Sequence, residues 1–430
     1  MKRLAVVSGL LVLGVAVAAA TGFAGSSAST GATKLPSSSC GPIFYKGSGS
    51  PQYLIASDLP LQGAGRAQPL SMVKAIQYVL EKQFNFKAGK YTVGFQSCDD
   101  STAQTGGWDA AKCTSNGRAY ANDRSVLGVL GTFNTGCAKL ILPIINRAPG
   151  GPIAMISSAN TGVGLTHTAP WTDPGEPKIY YPTGKRNYAR VATGDDFQGP
   201  AAADLLKTLK KKKVYILHDN QAFGKGVALG FQQRAKKLGI TVAGFQAWDA
   251  KATSYESIGE RIKSTGADSI YLGGIVCNNG VKLLKDLRAS IGKGPVFVGP
   301  DGWSPFSATA GAGAAAQGMY ISIAGLPIEK LGPTGKKFLA EFAKYQGRKV
   351  VDPYAVYAAQ TAQIMLNAIA KSNGTRGSVV DQVFKTKVKD GIMGTFGFDK
   401  NGNITAKAIS FYQMKGKDGV YKFFIKPGGV

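Results

Sequence analysis

The stretch that decides the fold is VLGVLGTFNTGCAKLILPIIN, residues 126–146. Val126–Leu130 is a short apolar run that reads as a strand, Gly131–Gly136 is a loop of small, hydroxyl and amide residues, and Lys139–Asn146 resumes helical spacing despite Pro143. The pattern repeats at once: Ile153–Ile156 reads as a strand and runs into Ser157-Ser158-Ala159-Asn160-Thr161. Upstream, Gln52–Leu59 is a strand ended by Pro60, Leu70–Phe84 a helix, Tyr91–Gln96 a strand and Ala110–Ala121 a helix. A loop-rich stretch, 161–187, interrupts the series, and its Pro170–Lys185 part is too polar and irregular for core, so it reads as a surface insertion. The alternation then restarts with Val214–Leu217, Gly226–Lys237, Thr241–Gln246, Ser257–Ser264, Ser269–Gly273, Val281–Ala289 and Val296–Val298. Two successive strand–helix series predict two doubly wound α/β lobes, each on a parallel sheet.

The N-terminus predicts export. Lys2 and Arg3 precede an apolar run, Leu4–Ala20, that small residues follow, the form of a secretory signal peptide. Residues 25 to about 39 are rich in Ser, Thr, Gly and Ala and bury too little apolar surface to order themselves, so they read as a flexible leader. Roughly 380 residues remain, enough for two lobes. Five cysteines suit an oxidising compartment. Cys98 and Cys113 flank a Gly/Ser/Thr-rich loop and are the natural local disulfide, worth about 3 kcal/mol in the chain-entropy picture. Cys40, Cys137 and Cys277 leave one thiol over, and lipidation of Cys40 is disfavoured because Ser37-Ser38-Ser39 precedes it.

The formal net charge is +26. No aromatic residues interleave with the basic run Lys210–Lys213, so an anionic envelope surface suits this charge better than nucleic acid. Catalysis finds little support. The two histidines, His167 and His218, lack metal-ligand spacing, and neither a G-x-S-x-G elbow nor a phosphate loop is present. In doubly wound sheets ligands bind beyond the carboxyl ends of the strands, where loops present free amides and helix N-termini. The two loops Gly131–Gly136 and Ser157–Thr161 offer such groups, although ordinary helix caps explain either one alone.

The order of motifs resembles the leucine/isoleucine/valine-binding proteins of ABC transporters, a family with the type I periplasmic-binding-protein fold. The resemblance runs from Gln52 to the C-terminus through Asp58-Leu59-Pro60-Leu61-Gln62-Gly63, Cys98-Asp99-Asp100, Gly131-Thr132-Phe133 and Ser157–Thr161. It continues through Arg190-Val191, Asp195-Asp196-Phe197-Gln198-Gly199, His218–Gly226, Tyr271–Gly274, Gly299-Pro300-Asp301-Gly302 and Gly394–Asp399. It implies a signal peptide over 1–24, a leader over 25–51, lobe 1 over 52–194 and 326–395, and lobe 2 over 195–325 and 396–430, joined by three crossovers. It also implies a non-enzymatic monomer without cofactor or metal, clamping a small amino-acid-like solute and delivering it to an ABC permease. Asn134, Thr135, Gly136, Ala159, Asn160 and Thr161 would hold the α-carboxylate, with Thr161 also able to receive the ammonium. Asp301 would neutralise the ammonium, a helix N-cap being its alternative role. Phe223 stands where the family usually has Tyr, and Ile275 or Val276 where an aromatic residue often sits. Arg66 would add a cleft cation or be a surface charge. An envelope receptor domain, or a binder of an amide, urea or aromatic acid, is the alternative reading.

Overall fold

The computed structural model describes residues 31–426 except 37 and 105; the expected signal peptide, 1–24, lies outside the described residues. Lobe 1 begins with β1 (Cys40–Phe44), β2 (Tyr53–Leu59), α1 (Ala67–Tyr78, prolonged by a π-helical turn to Gln83), β3 (Lys87–Ala88) and β4 (Tyr91–Asp99). It continues with α2 (Ala110–Asn122), β5 (Val126–Gly131), α3 (Thr135–Asn146), β6 (Ala154–Ser157) and β7 (Tyr188–Arg190). The chain then crosses to lobe 2, with α4 (Asp195–Thr208), β8 (Lys213–His218), α5 (Ala222–Lys237), β9 (Thr241–Ala247), α6 (Glu256–Thr265) and β10 (Ser269–Gly273). After α7 (Gly280–Ile291), β11 (Val296–Gly299), α8 (Phe306–Thr309) and β12 (Tyr320–Ile323) it returns to α9 (Pro333–Gln346), α10 (Pro353–Lys371) and α11 (Arg376–Phe384). A small hairpin, β13 (Lys387–Gly391) and β14 (Gly394–Gly397), precedes β15 (Ile409–Lys415) and β16 (Asp418–Ile425).

The strand order is β1-β4-β2-β5-β6-β7 in one sheet and β16-β15-β12-β11-β10-β8-β9 in the other. From β4 to β7 and from β9 to β12 the pairing is parallel, while β1, β15 and β16 add antiparallel edges. Every residue of β5 is buried, which explains why its sequence is an unbroken apolar run. Helices cover both faces of each sheet. In lobe 1, Met72 of α1 and Met365 of α10 pack on one face, and Cys137 and Ile141 of α3 on the other. In lobe 2, Phe231 of α5 packs on one face, and Ile262 and Leu287 of α6 and α7 on the other. Full burial of each such side chain contributes roughly 1.5–3 kcal/mol.

The three crossings are stitched together at Thr193. Its amide donates to Ala324 O (2.9 Å), and its hydroxyl accepts from the amide of Ala408 (3.1 Å). Arg190, wholly buried at the end of β7, donates to Asn403 Oδ1, Gly162 O and Thr166 Oγ1 and so ties the first crossing to the third. These bonds hold the three crossings to one another.

Two expectations are corrected. The leader is ordered within residues expected to be flexible: Cys40–Phe44 form an edge strand, and Leu35 is buried, its amide donating to Gln96 Oε1 (3.0 Å). A few apolar residues and one covalent anchor order a segment whose average composition is that of a tether. The disulfide Cys98–Cys113 is not formed. Antiparallel register sets Cys40 opposite Cys98, which bond, while Cys113 on α2 faces Cys137 on α3 and bonds there. Cys277 is the free thiol among the described residues.

Candidate functional site

The lobe 1 wall of the cleft is two loops held as one. Ser157 Oγ donates to Thr132 O (2.8 Å) and accepts from the amides of Ala159 (3.1 Å) and Asn160 (2.8 Å). Thr132 Oγ1 donates to Asn134 O (2.7 Å), and Asn160 Nδ2 donates to Phe133 O (2.9 Å). The sheet places β5 and β6 side by side, and these bonds fix the relative height of the loops that leave them. Gly131 ends β5 because a Cβ there would meet the Asp58 backbone. Beyond Asn134, α3 begins with no side-chain cap, so its first amides face the cleft with the positive end of the helix dipole.

The lobe 2 wall is organised by Asp219. Its carboxylate accepts from the amides of Gln221 (3.0 Å) and Ile275 (3.1 Å) and from Asn278 Nδ2 (2.7 Å), which locks the β8–α5 loop to the β10–α7 loop. Phe223, buried in the first turn of α5, then lies against Gly302, where any side chain would strike both the ring and Gly274 O. Trp303 is wholly buried, with its indole N–H on Leu272 O (2.8 Å), so it packs beneath the wall.

Between the walls, Gln68, Phe133, Asn134, Thr135, Ala159, Phe223, Ile275, Asp301, Gly302 and Tyr354 enclose a central cavity of about 30 Å³. A larger one of about 180 Å³ shares Gln68, Phe133, Asn134 and Ile275 with it and is lined further by Ala64, Gly65, Val276, Cys277, Pro305 and Ala308. On the opposite side, Thr135, Lys139, Trp171, Glu176, Gln221 and Lys225 border a polar cavity of about 340 Å³. Trp171 and Glu176 come from the Pro170–Lys185 insertion, which therefore roofs one mouth of the cleft.

The electrostatic centre is a pair of acids. Asp301 is buried; one oxygen accepts from the Tyr354 hydroxyl, across the cleft, and the other has no partner. Asp195, at the first turn of α4, is almost wholly buried, with its amide on Thr161 O (2.9 Å) and its carboxyl beside the Thr161 hydroxyl. Burial pushes Asp301 up to about 6. Burial, and after it the neighbouring Asp301, push Asp195 well above the usual carboxylate range. The buried Tyr271 hydroxyl and Asn134 Oδ1 are unpartnered too. Buried polar groups are almost always hydrogen-bonded. Of these groups, Asp301 and Asn134 line the central cavity, so their free oxygens face a space that a partner can enter.

Of the residues expected at the site, Asn134, Thr135, Ala159, Phe223 and Asp301 line the central cavity and Val276 the larger one. Ile275, the alternative to Val276, lines both. Gly136 is turned towards Trp108, against whose ring a Cβ would collide. Asn160 lines neither cavity, and its side-chain amide is bonded within the loop staple. Thr161 stands one step behind the cavity, next to Asp195 in the backbone bond just described. Arg66 is exposed at the start of α1 and lines none of these cavities. Asp195 and Tyr354 were missed. Asp195 stands inside a motif that the family resemblance had already singled out, while Tyr354 is carried in by α10 from far downstream. The group Asp58, Asp100, Cys113 and Cys137 would have metal-ligand proximity, but its two sulfurs are joined to each other.

Two α/β lobes, three hinge crossings and a polar interlobe crevice define the architecture of a two-lobed binding protein. Residues 55–419 match the periplasmic binding protein family, and the chain belongs to that family. The leucine-specific-binding protein of Salmonella typhimurium is 26% identical over 225 residues, which cover 52% of this chain and 60% of the relative. The chain thus spans about three fifths of the length of that curated relative. A leucine-binding protein from Thermotoga maritima superposes with a TM-score of 0.75 at 19% identity, covering 87% of this chain and 99% of the other. A solute-binding protein of an ABC transporter from Rhodopseudomonas palustris, in complex with p-hydroxybenzoic acid, superposes with a TM-score of 0.71 at 17% identity, covering 87% and 97%. These two likenesses establish the fold. No helix among the described residues is long and apolar enough to cross a membrane.

Proposed function

We propose that the protein is the extracytoplasmic receptor of an ABC importer and that it clamps a zwitterionic amino acid between its lobes. The observation that carries this reading is Asp301, buried in the wall of the central cavity with one carboxylate oxygen unpartnered, and with a second buried acid, Asp195, close enough for its charge to be felt. An unpaired buried carboxylate costs several kcal/mol, and a solute ammonium removes that cost. The solute carboxylate goes to the opposite end, at Thr135 and the uncapped N-terminus of α3. The side chain points into the cavity of about 180 Å³, whose walls at Ala64, Val276, Pro305 and Ala308 are uncharged, so an apolar side chain fits and an acidic one does not.

An aromatic acid, as held by the Rhodopseudomonas palustris relative, would bring a further negative charge to two acids and offer no cation. Amides and urea leave Asp301 without a counter-charge. Closure follows from the same parts. Lobe 1 receives the solute on its stapled loops, the hinge at Thr193 turns, and lobe 2 brings Phe223 and Asp301 over it. The closed form would dock as a monomer on a membrane permease, with no chemistry performed on the solute.

A thermal-shift screen tests this reading, because a ligand of the native state alone raises its melting temperature. Leucine, isoleucine, valine and phenylalanine are expected to stabilise the protein, and benzoate, p-hydroxybenzoate, acetamide and urea to leave it unchanged. Stabilisation by the aromatic acids and not by the amino acids would reverse the assignment.

A further inference from the structure

A second site lies on lobe 1, away from the cleft. Lys371 ends α10, Lys385 follows α11, and Lys387 and Lys389 stand on β13, both at one cavity wall. The four lysines line a cavity of about 320 Å³ together with Gln360, Gln363, Asn367, Gln382 and Thr386, over a floor that includes Phe84 and Ile364. No carboxylate lines it. Of the nearby acids, Glu81 pairs with Lys46 and Lys82 and Asp381 with Lys185, while Asp390, next to Lys389, accepts from the Thr395 hydroxyl and lines no part of the cavity. Among the described residues, none of the four ammonium groups makes an ion pair or a hydrogen bond.

Two of these lysines have a local explanation, since Lys371 and Lys385 complement the negative ends of helices. Lys387 and Lys389 have none. Gathering them at one concave wall adds repulsion that a dispersed arrangement would avoid, and low-dielectric walls focus the resulting field. Tyr354 and Lys371 are separated by most of the length of α10, roughly 25 Å at the rise of an α-helix. The cavity is therefore separate from the cleft, and its occupation does not depend on which solute the cleft holds.

We infer that this groove binds a phosphate-bearing polyanion, a chain or cluster of several phosphate groups, through the ammonium groups of Lys371, Lys385, Lys387 and Lys389. Lysine meets phosphate as a point charge, and four convergent charges require more than one phosphate for neutralisation. The shared chemistry is the phosphate cluster, which free oligophosphate or a layer of anionic phospholipid headgroups would supply.

The test uses the full folded protein, inorganic tripolyphosphate followed by calorimetry, and vesicles of phosphatidylglycerol followed by co-sedimentation. Lys385→Glu/Lys387→Glu/Lys389→Glu is compared with Lys210→Glu/Lys211→Glu/Lys212→Glu, which changes net charge by the same amount elsewhere. The groove variant is expected to lose about tenfold or more in affinity for at least one of the two probes, and the control about twofold or less. Loss in one arm alone tells which carrier supplies the phosphate and supports the site. An equal loss in both variants would show that net charge alone acts, and no binding of either probe to the unaltered protein would remove the inference. Unchanged amino-acid affinity and melting temperature in both variants verify folding, and Lys387→Gln/Lys389→Gln serves as a milder second variant with the same expected direction.

Discussion

Two pairs of buried acids in this molecule invite comparison. Asp58 and Asp100 lie inside lobe 1, whereas Asp301 lines the cleft, with Asp195 buried near it. In both, burial is the first cause that raises the carboxyl pKa, Asp58 and Asp301 alike reaching about 6. The surroundings then part company. Asp58 accepts from the Tyr120 hydroxyl (2.5 Å) and sits against Cys137 Sγ (3.5 Å), under the disulfide that joins α2 to α3. No cavity described above reaches it. Asp301 borders a cavity; unpartnered oxygens alone do not separate the pairs, because both of Asp100 lack a partner as well. The same local chemistry is structural where a lid of protein closes over it and receptive where a solute can arrive. Access, rather than acidity, separates the two pairs.

Removing the disulfide over the first pair, with Cys113→Ser/Cys137→Ser, is expected to have the largest effect on stability. The chain-entropy estimate is about 3–4 kcal/mol, measured by denaturant unfolding, with amino-acid affinity in the remaining native protein unchanged. A parallel collapse of affinity under native conditions would show that the two regions are not separable. In the cleft, Asp301→Asn is expected to weaken leucine binding by ~2 kcal/mol or more, about thirtyfold, in calorimetry. An affinity within threefold of the unaltered protein would take Asp301 out of the grip.

A pH titration sharpens the contrast. The folded pKa of Asp301 exceeds its unfolded value, so its contribution to stability is fully present below about pH 4 and is lost as pH rises through about 6. Asp301→Asn should therefore raise the stability of the solute-free protein at pH 7.5 relative to the unaltered chain, and have little effect at pH 4. Affinity runs the other way. Protonation of Asp301 removes the counter-charge, so leucine should bind about tenfold more weakly at pH 5 than at pH 7.5, and a flat profile would contradict the pairing. The smallest effect is expected from Arg66→Ala, because that side chain is exposed and outside the cavities: a change in affinity below twofold.

Much of this was legible in the sequence. Strands buried on both faces announce themselves as runs such as Val126–Leu130, and the loops that follow them, with Asn134 and Ala159, stand at the cleft because parallel sheets put strand ends there. Other features were not legible, for identifiable reasons. Asn160 looked like a ligand contact because side-chain type does not reveal that its amide is spent on Phe133 O. Tyr354 joins Asp301 only through the packing of α10, which no local pattern encodes. The disulfides depend on register, since Cys40 meets Cys98 by edge-strand pairing and not by nearness in sequence. Arg66, just before α1, is exposed and outside the cavities that its neighbour Gln68 lines, which residue type alone does not reveal.

The grip on a solute ammonium is tested most directly by pairing leucine with 4-methylpentanoate, which has the same carboxylate and side chain but no amino group. Calorimetry at pH 7.5 should show binding of leucine and none of the deaminated acid at a hundred times the leucine Kd, roughly 2.7 kcal/mol of discrimination. Equal affinity for the two would mean that Asp195 and Asp301 do not hold the solute, and the account of the cleft would fall.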